Sequence, residues 1–154
     1  MCAMEGIRRA TPDDARRVAV THVAAWRVGY AGLLPDTLLA GLSVEVRAAS
    51  WAIHLDASAS GQTLIVMSDD DADFVHGFVT MGPSRDDDAT PETGELWAVY
   101  THPDVWGQGV GGTLLGSATS ELQKCGFSRA TLWVLTENER ARRFYEGHGW
   151  QPDG

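Results

Sequence analysis

The 154-residue sequence predicts an α/β domain whose sheet is mixed and mostly antiparallel, with helices on its flanks. Three observations carry this expectation. Thr63–Ser68 and Val75–Met81 are rich in β-branched and apolar residues and flank the acidic turn Asp69-Asp70-Asp71-Ala72-Asp73, the pattern of a hairpin. A third such run, Glu95–Thr101, leads through His102-Pro103-Asp104 into the glycine-rich stretch Gly107–Gly112 and an amphipathic helix. After that helix Thr131–Leu135 is again a strand, and strands joined by a helical crossover lie parallel.

Taken in order, Gly6–Ala10 is a short first strand. Thr11 caps the next helix, with Pro12 at its first position and Asp13 and Asp14 in its first turn. This helix runs to about Val28, its inner stripe formed by Ala15, Val18, Ala19, His22, Val23 and Trp26. Gly29–Pro35 is a turn, Pro35 opens a second helix through Leu39, and a third spans Ser43–His54, burying Val46, Ala49, Trp51 and Ile53. Pro83–Gly94, carrying Asp86-Asp87-Asp88, is an exposed loop; a charge run of this kind is expected as a solvated turn, not a metal site. The helix from Gly111 to Cys125 buries Leu114, Leu115, Ala118 and Leu122 and ends at the C-cap glycine Gly126. An apparent strand begins near Arg129, Asn138 caps the last helix, Glu139–His148, and Gly149-Trp150 starts another extended segment. Nothing repeats internally.

The length fits one domain, residues 1–154, with a core of its own. A net charge of −9 without a basic run excludes nucleic acid and anionic membrane as main partners, since phosphate affinity rests on clustered Lys and Arg. The acidic surface suits cationic acceptors such as amines, although solubility alone accounts for it equally well. Cys2 and Cys125 are too few for a disulfide framework, and no Cys/His spacing matches a metal site. Met1–Glu5 has no apolar signal region and no stretch approaches membrane-spanning length, so a cytoplasmic protein is expected.

The glycines point to an anion, and the rest of the chain decides which. Free N–H groups and the positive end of the dipole at the start of the helix after Gly107–Gly112 suit an anion, a phosphate or pyrophosphate above all. Gly107, Gly109 and Gly112 satisfy the dinucleotide pattern G-x-G-x-x-G, but five residues separate them from their strand and no acidic residue closes the next one. A Walker loop is excluded because no Gly-Lys-Ser/Thr follows.

Thr101-His102-Pro103 followed by Trp106-Gly107-Gln108-Gly109-Val110-Gly111 resembles the acetyl-coenzyme A loop of the GNAT (general control-related) N-acetyltransferase superfamily, Gln/Arg-x-x-Gly-x-Gly/Ala after a bulged strand. Gly109 and Gly111 stand on the two small positions, and Trp106 departs from the usual Arg or Gln. A second motif, Asn138-x-x-Ala141-x-x-Phe144-Tyr145-x-x-x-Gly149-Trp150, is similar to the family's closing pattern with Trp for its final Phe. Trp26-Arg27, Tyr30 and Leu33-Leu34-Pro35 are also family-like, in the region where the first two helices wall off the acceptor pocket. The resemblance implies two central parallel strands splayed by a bulge. Family domains usually continue with one or two more strands, so the sheet is expected to lack its last strand or strands. Either the chain is truncated at Gly154, or a second copy, in a homodimer, supplies the missing edge.

For the site, the resemblance implies that backbone amides of Gln108, Gly109, Val110, Gly111 and Gly112 hold the pyrophosphate. Backbone groups of Val99 and Thr101 pair with the pantetheine arm, and an N–H near Val99 or Tyr100 is the oxyanion donor. Tyr145 is the candidate general acid, its reference pKa of about 10 matching a thiol at about 8.5; ordinary core packing is its structural alternative. Asn138 bonds the pantetheine chain, caps the helix, or does both. Glu95 is the candidate general base, against a solvent-facing strand-end charge, with His22, His76 and His102 as rivals. Trp26 and Tyr30 are named for the acceptor pocket, ahead of Trp51 and Trp97; Tyr30, in the turn after the first helix, is the one whose position favours wall over core. The implied activity is transfer of an acetyl group from acetyl-CoA to the primary amine of a small molecule or peptide by direct attack in a ternary complex, without a metal. A catalytically silent acyl-CoA-binding module is the alternative, and a nicotinamide-dependent oxidoreductase, resting on the literal glycine match, is a third reading.

Overall fold

Five strands lie side by side in chain order: β1 (Ile7–Arg9), β2 (Gln62–Met67), β3 (Val75–Pro83), β4 (Thr93–Thr101) and β5 (Arg129–Leu132). The first four pair antiparallel and β5 runs parallel to β4, the mixed and mostly antiparallel sheet that the sequence predicts. The computed structural model describes residues 6–56, 61–67, 71 and 73–153. Cys2 and residues Asp69, Asp70 and Ala72 of the acidic turn lie outside them.

Helices cover both faces. A 3-10 turn, Pro12–Asp14, leads into α1 (Ala15–Gly29), followed by α2 (Asp36–Ala40) and α3 (Val44–His54). Val18 and Ala19 of α1 and Trp51 of α3 close over Ile65 and Phe78 on one face of the sheet. α4 (Val110–Lys124) sets Leu114, Leu115, Ala118 and Leu122 against Leu64, Val79 and Met81 on the other. The alternation follows from the pleat: Ile65 opposes Phe78 and Leu64 opposes Val79, so successive pairs serve opposite cores. Fully burying Phe78 contributes about 2–3 kcal/mol of hydrophobic stabilisation. α5 (Glu139–Gly147) leans on the α4 core through Phe144 and Tyr145.

One buried face and two boundaries differ from expectation. In α3, Val46 and Ile53 are exposed, as is Ala49, while Trp51 is buried with Leu55 just beyond the helix and Val44 and Ala48 are partly buried. The inward stripe therefore runs Val44, Ala48, Trp51, Leu55, at helical spacing from the Ser43 cap, whose Oγ accepts from the Val46 N–H at 3.2 Å. β5 stops at Leu132 rather than Leu135, and no strand forms over Trp150–Asp153, which leaves β5 the edge of the sheet among the described residues.

Asp14, expected simply as a first-turn acid, is buried. Its carboxylate accepts from Arg8 Nη2 at 2.7 Å, Arg8 Nη1 at 2.8 Å, Arg17 Nη1 at 2.9 Å and the Thr11 N–H at 2.9 Å, joining β1 to the start of α1. The fork of hydrogen bonds from Arg8 holds its pKa down at about 2 against the opposing effect of burial.

β4 carries a bulge. Thr80 opposes Ala98 and Met81 opposes Leu96, so Trp97 is an extra residue without a partner on β3. Pairing with β5 ends at Leu96 opposite Leu132, immediately before the bulge. Beyond this point β4 follows β3 alone, and the chain after Leu132 diverges from it. Among the described residues no helix is long and apolar enough to cross a membrane, and no group of three or more His, Cys, Asp or Glu could hold a metal ion.

Candidate active site

Where β4 and β5 part, a cleft of about 650 Å³ opens. One wall is Trp97–Thr101 of β4; the opposite wall is Leu132–Leu135 with Asn138 and Tyr145 of α5; the glycine loop closes one end and Tyr30 lines it as well. The bulge makes this space by withdrawing β5 from the second half of β4. The backbone groups on that edge of Val99 and Thr101, two residues apart and so aimed the same way, are open to an extended ligand that adds itself as a strand. The Thr101 carbonyl is already partly engaged, accepting from Trp106 Nε1 at 3.0 Å.

The glycines divide by task. Gly107 and Gly109 have φ of +81° and +84°, a left-handed conformation that turns the chain into α4 and that side chains resist. Gly111 and Gly112 are needed for space: a Cβ on Gly111 would stand 3.0 Å from Cζ of Phe144, and one on Gly112 would stand 2.9 Å from Nε2 of His148. The first amide of α4 with an intrahelical partner is that of Thr113, donating to the Gly109 carbonyl at 3.1 Å, so those of Val110, Gly111 and Gly112 begin the helix without one. Gln108 departs from the expected anion cradle, because its N–H donates to the Val105 carbonyl at 3.3 Å and the residue is absent from the cleft wall.

Three phenols face the cleft. The Tyr30 and Tyr100 hydroxyls are 3.2 Å apart, and Tyr145 approaches from α5. Burial, then the proximity of Tyr30, pushes the Tyr145 phenol up to about 12, so it keeps its proton throughout the neutral range. Tyr100 is raised above the ordinary phenol range, by burial first and by the hydrogen bond with Tyr30 second. Tyr145 is both wall and core, since it also packs on the α4 cluster. Asn138 likewise has two duties: its Oδ1 accepts from the Ala141 N–H at 3.2 Å as the α5 cap, which leaves its NH2 group for a ligand.

Other expected residues lie elsewhere. Glu95 is 2% exposed and off the cleft wall, with Oε1 accepting from the Arg85 N–H at 2.8 Å and Oε2 from its Nη2 at 3.2 Å. It is neither on the cleft wall nor a solvent-facing charge; the turn after β3 folds back over it. Trp26 stands behind the wall, edge-on to Tyr30 at 4.9 Å. His22 is packing: its Nδ1 accepts from Trp51 Nε1 at 3.1 Å, its ring stacks on Tyr100, and burial, helped by the Arg47 charge, pushes its pKa down to about 4. His76 and His102 both set their rings against Phe74, and His102 Nδ1 accepts from the Asp104 N–H at 3.1 Å. Trp51 is core, while Trp97 borders the cleft at the bulge.

Arg140, Phe144 and His148 also line the cleft and were not foreseen. The signal was available in helical spacing, because Asn138, Ala141, Tyr145 and His148 fall on one face of α5 with Phe144 beside them. The cleft wall contains no Asp or Glu among the described residues, and Arg140 is its single Lys or Arg, in a chain of net charge −9. Such a lining favours an anionic ligand over a cationic one.

Comparison with known proteins agrees with this geometry. Residues 33–150 match the model of the acetyltransferase (GNAT) family. An uncharacterised N-acetyltransferase of Bacillus subtilis, YuaI, is 30% identical over 135 residues, covering 88% of this chain and 74% of that protein. A probable N-acetyltransferase of Mycobacterium tuberculosis is 29% identical, covering 96% of this chain and 80% of its own length. Among solved structures, the PaiA N-acetyltransferase of Thermoplasma acidophilum in complex with coenzyme A superposes with a TM-score of 0.77 at 20% identity, covering 96% of this chain and 92% of that one.

Proposed function

Since this chain belongs to the acetyltransferase (GNAT) family, whose reaction is acetyl transfer, we propose that it moves an acetyl group from acetyl-CoA to a primary amine by direct attack within a ternary complex. The observation that carries this reading is the bulge at Trp97. It ends the β4–β5 pairing at Leu96 and Leu132 and leaves a strand edge that leads from the three phenols to the glycine loop. A carrier with an extended amide-rich arm and an anionic end fits such a track.

In this reading Val99 and Thr101 hold the arm by backbone pairing, and the amides of Gly109, Val110, Gly111 and Gly112 face the diphosphate with the NH2 group of Asn138 near the arm. The amine nitrogen attacks the thioester carbonyl carbon beside Tyr30. The C–N bond forms, an N–H at the end of the Val99–Tyr100 segment meets the oxyanion, and the C–S bond breaks as Tyr145 gives its proton to sulfur. A cleft without carboxylates favours the neutral amine over the ammonium, so the surplus amine proton leaves to water and Tyr145 is reprotonated from solvent. The products are an N-acetyl amide and the free thiol.

Calorimetric titration with acetyl-CoA, with NAD as control, tests the first half. Micromolar binding of acetyl-CoA alone is expected, and a folded sample that binds NAD but not acetyl-CoA would sink the reading. Release of free thiol in the presence of an amine library tests the second. One observation favours the alternative, an acyl-CoA-binding module without turnover: among the described residues no carboxylate base stands on the cleft wall. Tight acetyl-CoA binding with no amine-dependent thiol release across the library, and no effect of Tyr145→Phe on slow thioester hydrolysis, would select it.

A further inference from the structure

Arg140 sits in the first turn of α5 with its guanidinium 3.5 Å from the centroid of the Trp106 ring. That indole is fixed at its other end by the bond from Nε1 to the Thr101 carbonyl at 3.0 Å, which ties it to the end of β4. Trp106 directly precedes Gly107, so the platform stands at the threshold of the glycine loop. Elsewhere in the described residues Arg8, Arg16, Arg17, Arg85 and Arg143 are paired with carboxylates; no carboxylate pairs with Arg140. A flat cation stacked on an indole keeps its in-plane N–H donors for another partner, because the stacking uses only its face.

We infer that Arg140, held flat by Trp106, is the side chain that grips the diphosphate of the coenzyme, so that a two-residue device joining the threshold of the glycine loop to α5 adds a cation to the loop's backbone amides. This rests on the acetyl-CoA reading above. It assigns Trp106 a positioning role and Arg140 a binding role that neither the glycine pattern nor the Asn138–Tyr145 pattern specifies. Planar donors match phosphate oxygens in pairs, whereas a lysine would offer a point charge without the stacking that orients it. Burial lowers the Arg140 pKa, and a guanidinium remains charged all the same.

The experiment compares three acyl donors by titration: acetyl-CoA, its analogue lacking the 3′-phosphate, and S-acetylpantetheine, which has no phosphate. Arg140→Ala should weaken the first two equally, by about tenfold to a hundredfold, and leave the third unchanged. Arg140→Lys should recover only part of the loss, and Trp106→Leu should weaken the two phosphate-bearing donors while Trp106→Phe, which keeps a ring face, largely restores them. In turnover the loss should fall on KM for acetyl-CoA with kcat little changed, and the salt dependence of binding should flatten in Arg140→Ala. Unchanged affinity for acetyl-CoA in a folded Arg140→Ala protein overturns the assignment. A loss confined to acetyl-CoA points to the 3′-phosphate and overturns the diphosphate, and an equal loss for S-acetylpantetheine shows a merely structural residue. Failure of the unaltered protein to bind any of the three strikes the acetyl-CoA reading itself, a different result from any of these.

Discussion

The hydroxyls of Tyr30 and Tyr100 stand 3.2 Å apart and tie the end of α1 to the half of β4 that has lost β5. This bond bridges two elements that line the cleft, and both of its members are partly buried. Tyr30→Phe removes one partner and leaves the Tyr100 hydroxyl to find another, a loss of about 1 kcal/mol that a thermal melt would register as a shift of a few degrees. Because Tyr30 lines the cleft, the same variant should raise KM for the amine more than KM for acetyl-CoA. An unchanged amine KM would place the acceptor on another wall.

Tyr145 offers a sharper test. Its phenol is pushed up to about 12, so it remains a proton donor at any pH at which the protein is assayed. Tyr145→Phe should lower kcat by about a hundredfold, the usual contribution of a general acid, while acetyl-CoA affinity changes little. The raised pKa also has a sign. In the unaltered enzyme a fall in rate from ionisation of Tyr145 can begin only near pH 12, so between pH 6 and 9 the rate should rise with the amine's own titration and show no descending limb. A descending limb in that range that Tyr145→Phe abolishes would reassign its pKa and its role.

Stability in acid should report Asp14. Its pKa is depressed to about 2, chiefly by the Arg8 hydrogen bonds, from an unfolded value of about 3.9. A depressed carboxylate stabilises the fold at pH values above its unfolded pKa, and that stabilisation is lost as pH falls from about 4 through about 2. Asp14→Asn should cost about 2–3 kcal/mol at neutral pH, as a charged hydrogen-bonded carboxylate buried between two arginines is replaced. Denaturant midpoints of the variant should lie well below those of the parent at pH 7 and converge on them toward pH 2. Curves separated by the same amount at every pH would show that the charge is not what Asp14 contributes.

Much of this fold was legible from local chemistry. Apolar and β-branched runs located β2 to β5, Asn138 and Gly126 marked the expected helix ends, and the crossover placed β5 parallel to β4. Resemblance supplied the bulge, which no local pattern in Glu95–Thr101 announces. What stayed hidden was set by tertiary partners. In α3 the apolar residues Val46 and Ile53 are as hydrophobic as the buried Trp51, and only docking against α1 decides which stripe turns inward. Trp106 could be seen as a departure, but nothing in the linear chain says that Arg140, 34 positions later, would lie on its ring.

Glu95 shows the same limit, and it yields the last prediction. Its place at the start of the bulged strand makes it look available for proton transfer, yet both carboxylate oxygens are taken up by Arg85, whose guanidinium in turn lies 4.8 Å from the Trp97 ring centroid. The charge therefore ties the turn after β3 to the strand that carries the bulge, and an effect on catalysis through the shape of β4 alone is the expected outcome. Glu95→Gln keeps one acceptor for the Arg85 N–H while discarding the ion pair. Arg85 is largely exposed, so the pair is screened on one side, and the loss should be about 1 kcal/mol in unfolding free energy. The pH–rate profile for kcat/KM of the amine should keep its form, with at most a severalfold uniform fall. A general base would behave otherwise: its removal would cost a hundredfold or more and delete the ascending limb of the profile. Measuring that profile on Glu95→Gln beside Arg85→Ala separates the cases, since a positioning role predicts that the two variants resemble each other and a proton-accepting role predicts that only the first is crippled.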